Sequence, residues 1–146
     1  MIRMSRLTDY GIVLMTHVVR HSEKESHTAR GLATETHLPL PTVSKLLKVL
    51  TRKGFLASQR GVHGGYRLAV SPDEVSVAQL IRALEGPVQL INCASGEGEC
   101  DQEATCPSKS HLQLINQTVR SALEKIALSK MARPALPPIP FIPFAK

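Results

Sequence analysis

Three cysteines are the residues of this sequence best suited to metal or redox chemistry. Cys93, Cys100 and Cys106 are the only cysteines among the 146 residues, and they lie within a stretch of fourteen with the spacing C-x6-C-x5-C. The residues between them are polar, acidic and glycine-containing, so packing in an apolar core does not explain the cluster. Thiolates are ligands of zinc and of iron–sulfur clusters. The stretch is therefore a candidate ligand set.

Several kinds of thiol chemistry compete for three clustered cysteines. A structural zinc site usually contains C-x2-4-C pairs, and this sequence has none. A disulfide would leave one thiol over and is disfavoured in the cytoplasm, where we expect this protein because its N-terminus does not resemble a signal peptide. An iron–sulfur cluster uses thiolate ligands and tolerates wide loops between them. Clustered thiols without a ligand are the alternative that the spacing leaves open.

A fourth ligand for such a site is not obvious from the sequence. His111 follows Cys106 by five residues and would complete a set of three cysteines and one histidine, although it is equally able to cap the helix that begins there. Asp9 is a second candidate, supplied by the same chain or by a partner subunit. Lys109 is a poor ligand because a lysine ammonium group offers no lone pair.

Two predicted helices must position the cysteines, one before them and one after. Ser76 is expected to cap the first, which ends at Glu85-Gly86-Pro87. The second is expected to run from about 108 to 129, with apolar residues at alternating steps of three and four that suit pairing with a second copy: Leu112, Ile115, Val119, Ala122 and Ile126. The last thirteen residues, 134–146, include five prolines and predict an extended or disordered tail.

Basic charge is concentrated in the first half of the sequence. Residues 1–72 contain eleven Lys and Arg against four Asp and Glu, a net charge of +7, whereas residues 73–146 carry a net charge of −1. Lys and Arg neutralise phosphates and release counterions, so this half is expected to bind a polyanion.

The order of predicted elements in this half is that of a winged helix-turn-helix. Helices are expected over 6–21, 29–35 and 42–53, followed by a hairpin with strands at 55–58 and 66–69 around a glycine-rich tip. The fold class is therefore mainly α with a small β-hairpin wing, followed by a long C-terminal dimerisation helix. We divide the chain into a DNA-binding domain (1–86), a cysteine loop (87–107), a dimerisation helix (108–132) and the tail (133–146).

The helix over 42–53 has the chemistry of a recognition helix, with one apolar face for the core and donors on the other. Thr42, Ser44 and Lys45 lie in its first turn, where base edges of the major groove are usually reached. Lys48 and Arg52 are better placed to contact phosphates.

The hairpin supplies a second set of candidate DNA contacts. Three glycines allow its backbone to approach the sugar–phosphate backbone closely: Gly61, Gly64 and Gly65. Arg60, His63 and Arg67 bring positive charge or donors, and Arg60 or His63 is expected to enter the minor groove.

Other classes of function find little support in the sequence. No apolar run approaches the roughly 18 residues needed to span a membrane. The sequence also lacks a glycine-rich phosphate loop, an apolar pair of carboxylates and a nucleophile beside a base, so we expect neither an enzyme nor a small-molecule substrate.

These motifs resemble the iron–sulfur winged-helix transcriptional regulators of the Rrf2 family, over about residues 3–130. The similarity lies in the three cysteines and in four motifs, L-T-D-Y at 7–10, L-P-L-P-T-V-S-K at 38–45, R-G-V-H-G-G-Y-R-L at 60–68 and I-R-A-L-E-G at 81–86. Within the family the sequence is most similar to the IscR-like and SufR-like repressors. The first motif, and Cys106-Pro107 followed by Ile115-Asn116, resemble the regulator of the SUF cluster-assembly system.

The resemblance implies a homodimer that binds a double-stranded DNA operator and represses genes of iron–sulfur cluster assembly. It also implies a 2Fe–2S cluster, with 4Fe–4S as the alternative, held by the three cysteines. The IscR branch has a His three residues after its last Cys, where this sequence has Lys109, so the fourth ligand is not carried over. A thiol-based redox or nitric-oxide sensor without a cluster remains the competing hypothesis.

Overall fold

The computed structural model describes residues 4–61, 64–91, 101 and 105–134. These residues form helices and one two-stranded antiparallel hairpin, in the order α1 (Arg6–Arg20), α2 (Ala29–Thr36), α3 (Leu40–Arg52), β1 (Leu56–Gln59), β2 (Gly65–Leu68), α4 (Val77–Leu84), α5 (Lys109–Glu124) and α6 (Leu128–Met131). The mainly helical fold with a hairpin after the third helix is confirmed. No described helix is both long and apolar enough to cross a membrane.

One apolar core lies between α1, α3, α4 and β1. The inward face of α3 is completely buried, because its leucines and valine recur at steps of three and four: Val43, Leu46, Leu47 and Leu50. Leu14 and Met15 of α1 and Leu80 of α4 are equally buried against it. This packing leaves the opposite face of α3 to solvent, which is the requirement for a recognition helix.

Side-chain caps begin three of the helices. The hydroxyl of Ser5 accepts a hydrogen bond from the Thr8 backbone, and Thr28 does the same for α2. Ser76 and Gln79 form a capping box at the start of α4, as the sequence predicted for Ser76. The helix predicted from residue 42 begins at Leu40 instead, because a proline such as Pro41 is well tolerated in a first turn.

The hairpin is fastened to the turn between α1 and α2. Its register pairs Leu56 with Leu68 and Gln59 with Gly65. β1 lies one residue later in the chain than the predicted strand at 55–58, and β2 lies one residue earlier than the predicted strand at 66–69. His27 adds a further bridge to Tyr66, through two backbone hydrogen bonds of 2.8 Å. The strand β2 is therefore hydrogen-bonded on both of its edges, to β1 and to His27.

The prediction of one helix over 108–129 is wrong. The helix α5 ends at Glu124, and Ala127 is extended and pairs with Ser76. Leu128 then enters the core completely, and its backbone N–H donates to the Val75 carbonyl at 2.7 Å. Burial of one leucine and pairing with the segment before α4 outweigh the continuity of the helix, so α6 belongs to the winged-helix core.

The predicted pairing seam is divided between two sides of α5. Val119 faces the chain's own α4, while Ile115 is 55% exposed and Ala122 is also exposed. Ile126 lies beyond the end of the helix. The apolar surface that α5 leaves exposed instead combines Ile115 with Leu114, which is 64% exposed.

Candidate DNA-binding face and cysteine segment

The outward face of α3 is a basic stripe. Lys45, Lys48 and Arg52 are exposed and line one shallow depression together with Ser44. α3 contains no acidic residue, and within the described residues none of these three side chains has an ion-pair partner. Their charge is therefore available to the phosphates of a nucleic acid.

The two hydroxyl residues predicted to read bases are less open than the basic ones. Thr42 and Ser44 are half-buried, and of the two only Ser44 lines the depression. The structure thus brings four of the five predicted residues of the recognition helix to one surface, and leaves Thr42 at its margin.

The hairpin contributes only part of its predicted set to this side. Arg60 and Gly61 are exposed where β1 ends. Arg67 lies instead beside the turn between α1 and α2, in a depression that it shares with Glu23 and Glu25. The prediction for His63 falls outside the described residues.

Two glycines of the wing have a structural reason to be glycines. A Cβ atom on Gly65 would stand 2.7 Å from the carbonyl oxygen of His27, and one on Gly64 would stand 2.5 Å from the carbonyl oxygen of Gln59. These contacts within the chain require the absence of a side chain, whether or not DNA also approaches there.

A histidine that no motif of the sequence marks is buried beneath the wing. His27 is 5% exposed, and its Nε2 atom has no hydrogen-bond partner in the described residues. Burial, and then the charges of Lys24 and His17, lower the pKa of His27. No periodic pattern marks this residue, because its burial comes from the bridge to Tyr66 across 39 positions of sequence.

Glu35 is hydrogen-bonded to two side chains near His27, those of Lys24 and His17. Its carboxylate accepts hydrogen bonds from Lys24 Nζ at 2.9 Å and from His17 Nε2 at 2.7 Å. These two bonds lower the pKa of Glu35 to about 2, so the carboxylate is ionised throughout the physiological range.

Both ends of the cysteine segment are attached to α5. On one side, the Leu90 backbone N–H donates to Asn116 Oδ1 at 2.9 Å. On the other, Cys106 is a free, half-buried thiol whose carbonyl oxygen accepts a bond from the first residue of α5, Lys109. Cys93 and Cys100 lie outside the described residues.

The two candidate fourth ligands lie at the starts of two helices. His111 is exposed in the first turn of α5, and Asp9 is exposed in the first turn of α1. Glu85 fastens the start of α1 to the end of α4 by accepting a bond from the Ser5 backbone, and hydrogen bonds from Ser5 and Thr8 lower the pKa of Glu85. Among the described residues, no three His, Cys, Asp or Glu side chains are arranged to hold a metal.

Comparisons with known proteins agree with this architecture. The model of the Rrf2 family, described as an iron-dependent transcriptional regulator, matches residues 4–134. The transcriptional regulator IscR of Aliivibrio salmonicida is 27% identical over 122 residues, which cover 84% of this chain and 72% of that protein.

Two solved structures share the fold. The global cysteine regulator CymR of B. subtilis superposes with a TM-score of 0.77 at 26% identity, covering 90% of this chain and 97% of that one. IscR of T. potens gives a TM-score of 0.71 at 25% identity, covering 93% and 94%. With the family model matched over nearly the whole described chain, this protein belongs to the Rrf2 family of DNA-binding transcriptional regulators, which are not enzymes.

Proposed function

We propose that this regulator senses iron–sulfur cluster status through Cys93, Cys100 and Cys106. The observation that carries the proposal is that the segment with the three cysteines begins and ends on one helix, at Asn116 and at the start of α5. Seven residues separate these two attachment points, or about 10 Å along a helix. A group bound by the three thiolates would therefore be held by a segment whose two described ends are attached to the N-terminal half of α5.

The donor set fits an iron–sulfur cluster. Cys106 is neither in a disulfide nor fully buried, so its sulfur atom is accessible to a bound group just before the start of α5. A 2Fe–2S cluster, or 4Fe–4S as the alternative, would supply a redox-active and oxygen-sensitive centre. His111 of the same helix and Asp9 of α1 are the two candidates for the fourth ligand, and both are exposed in the first turn of their helices.

The regulator acts on DNA as a homodimer in this proposal. α5 has no buried residue, and Leu114 and Ile115 present apolar surface that a second copy of the helix would cover. Pairing there presents two α3 helices to the half-sites of a pseudo-palindromic operator. Lys45, Lys48 and Arg52, with Arg60 of the wing, then contact the DNA.

The cysteine segment controls DNA affinity by changing how α5 is held. Because the segment connects α4 with α5, a fixed shape at Cys93–Cys106 alters the tilt of the two winged-helix halves about the paired helices. Affinity changes only by the difference in ligand affinity between the two arrangements. The similarity of residues 7–10, 106–107 and 115–116 to the SUF regulator supports repression of SUF-type cluster-assembly genes as the output.

Anaerobic purification tests the proposal. We expect a red-brown protein with iron and acid-labile sulfide in near-equal amounts, and a colourless Cys100→Ala variant of unchanged far-UV circular dichroism. Operator DNA is selected from a random-sequence pool by the wild-type protein. If the Cys100→Ala variant binds this DNA and responds to iron and oxidants as the wild type does, the proposal is wrong.

A second candidate is a thiol-based regulator that responds to oxidants or nitric oxide without a cluster. The similarity to the global cysteine regulator CymR favours it. A colourless, iron-free protein whose DNA binding changes with thiol oxidation would support this candidate over the first.

A further inference from the structure

An apolar cavity of about 440 Å³ opens between α4, residues 86–90 and α5. Ile81, Val88, Leu90 and Leu123 form its walls, and Met4, which is 46% exposed, stands at its rim. An exposed apolar cavity of this size is a candidate site for an apolar group to dock, from a ligand or from a protein segment.

The pairing of two α5 helices would not fill this cavity. Val119 and Leu123 line it from the side of α5 that faces α4, whereas Leu114 and Ile115 lie on the exposed side. The occupant therefore has to come from elsewhere.

The C-terminal tail has the composition of such an occupant. Residues 135–146 lie outside the described residues and include I-P-F-I-P-F at 139–144. Two of the three phenylalanines of the whole chain, Phe141 and Phe144, stand in this short segment. Burying the two rings would remove a large apolar surface from water, which favours docking in an apolar cavity.

The start of the tail is held at one end of α1, and the cavity lies at the other. Arg20 Nε donates to the Ala132 carbonyl at 2.9 Å, and Arg20 Nη2 donates to the Arg133 carbonyl at 3.0 Å. At the opposite end, Met4 and Glu85 connect the start of α1 to the cavity. The 15 residues of α1 span about 22 Å.

A path along α1 joins the two points. Arg6, Val13 and Arg20 are seven residues apart and share one exposed face, on which Val13 offers 46% of its surface. A proline-rich chain in the polyproline II conformation advances about 3.1 Å per residue. In that conformation the seven steps from Pro134 to Phe141 would cover about 22 Å, which matches the length of α1.

We propose that the tail runs back along α1 of its own chain, over Val13, and inserts Phe141 and Phe144 into the cavity at the base of the cysteine segment. The tail then shields Val88 and Leu90, which lead directly into that segment. This docking is independent of whether the three cysteines hold a cluster.

A tryptophan reporter tests the docking, because the chain contains no tryptophan. In full-length Phe141→Trp protein we expect blue-shifted emission and at least threefold weaker acrylamide quenching than in a matched Ala145→Trp control. Adding Leu123→Gln, in the cavity wall, should restore quenching of Trp at 141 while circular dichroism stays unchanged. The proposal would be overturned if the emission and quenching of Trp at 141 equal those of the control. It would also be overturned if Leu123→Gln leaves them unchanged.

A dilution series and a truncation separate this occupant from the others. Reporter emission that is constant over a hundredfold dilution supports docking within one chain. A loss of the blue shift on dilution means that a second copy supplies the tail, and it refutes the proposal.

Ending the chain at Arg133 should raise amide hydrogen exchange of residues 86–90 about tenfold. Unchanged exchange in that folded variant contradicts the proposal as well.

Discussion

The winged-helix half and the half that contains the cysteines and α5 differ in where they bury apolar surface. In the first, the inward faces of α1 and α3 are completely buried within one chain, with Leu14, Leu46 and Leu47 at 0% exposure. In the second, α5 has no buried residue, and Leu114 is 64% exposed. Basic charge is also concentrated in the first half, since residues 1–86 carry +5 and residues 87–146 carry +1.

This difference indicates a division of labour between stability and response. The first half has a core of its own, so its basic face is formed within a single chain. Within the described residues, the second half has no apolar core of its own. Its one completely buried residue, Leu128, packs in the core of the first half. Its arrangement therefore depends on what binds it, which is the property that a sensing element requires.

The largest expected effect distinguishes the two halves by stability. Leu47→Ala removes a fully buried side chain and should lower the free energy of unfolding by about 2–5 kcal/mol. Leu114→Ala should change the unfolding of the monomer by less than about 0.5 kcal/mol, while weakening self-association. Urea denaturation and analytical ultracentrifugation measure the two effects. Equal destabilisation by both variants would contradict the division.

The next effect concerns charge. Lys48→Ala with Arg52→Ala should weaken DNA binding on the order of tenfold per residue and reduce the slope of log K against log salt by about 2 for each bound protomer. A matched pair on the other half, Arg120→Ala with Lys125→Ala, removes the same charge and should leave the slope within about 0.5. Fluorescence anisotropy with a selected duplex measures both. A similar loss in the two pairs would mean that only net charge matters.

Local periodicity predicted the first half well and the second half poorly. The face formed by Val43, Leu46 and Leu50 specifies α3 within thirteen residues, so its helix and its exposed lysines followed from the sequence. The end of α5 depends on Ser76 pairing with Ala127 across 51 positions, which no local pattern reveals. Contacts of that range decide structure through burial, and burial is a property of the folded chain.

The candidate sites show the same contrast. The basic residues of α3 were predictable because a helix exposes what its apolar face does not bury. The roles of His27 and Glu85 were not, since His27 meets Tyr66 and Glu85 meets Ser5 only after folding. Likewise, the sequence predicted that Gly64 and Gly65 are glycines because DNA approaches the hairpin tip. The folded chain gives a second reason, since a Cβ atom at either position would stand too close to a carbonyl oxygen of the same chain.

A third prediction places acid sensitivity in the winged-helix half. The pKa of His27 is lowered below its ordinary value of 6.5, so below about pH 6.5 the unfolded chain takes up a proton that the folded chain resists. Stability is therefore full above that pH and falls as the pH decreases, by at most about 1.4 kcal/mol per pH unit from this group. His27→Gln should flatten the dependence of urea midpoint on pH between 7.5 and 5.5.

The control for this prediction is an exposed histidine of the other half. Urea midpoints of His111→Gln on α5, measured over the same pH range, give the baseline for the loss of one exposed histidine. If His27→Gln retains the full dependence, the acid sensitivity arises elsewhere in the chain.

The smallest expected effect compares the starts of two helices. Ser76 caps α4 through both bonds of a capping box, whereas Ser108 makes no side-chain cap bond at the start of α5. Ser76→Ala should therefore cost about 1 kcal/mol of stability, and Ser108→Ala should cost close to none. The same substitution at two helix starts removes differences in residue type from the comparison. If Ser108→Ala measurably lowers the free energy of unfolding in urea, the Ser108 side chain stabilises the start of α5 within its own chain. The order of α5 would then not require a bound ligand or a second copy.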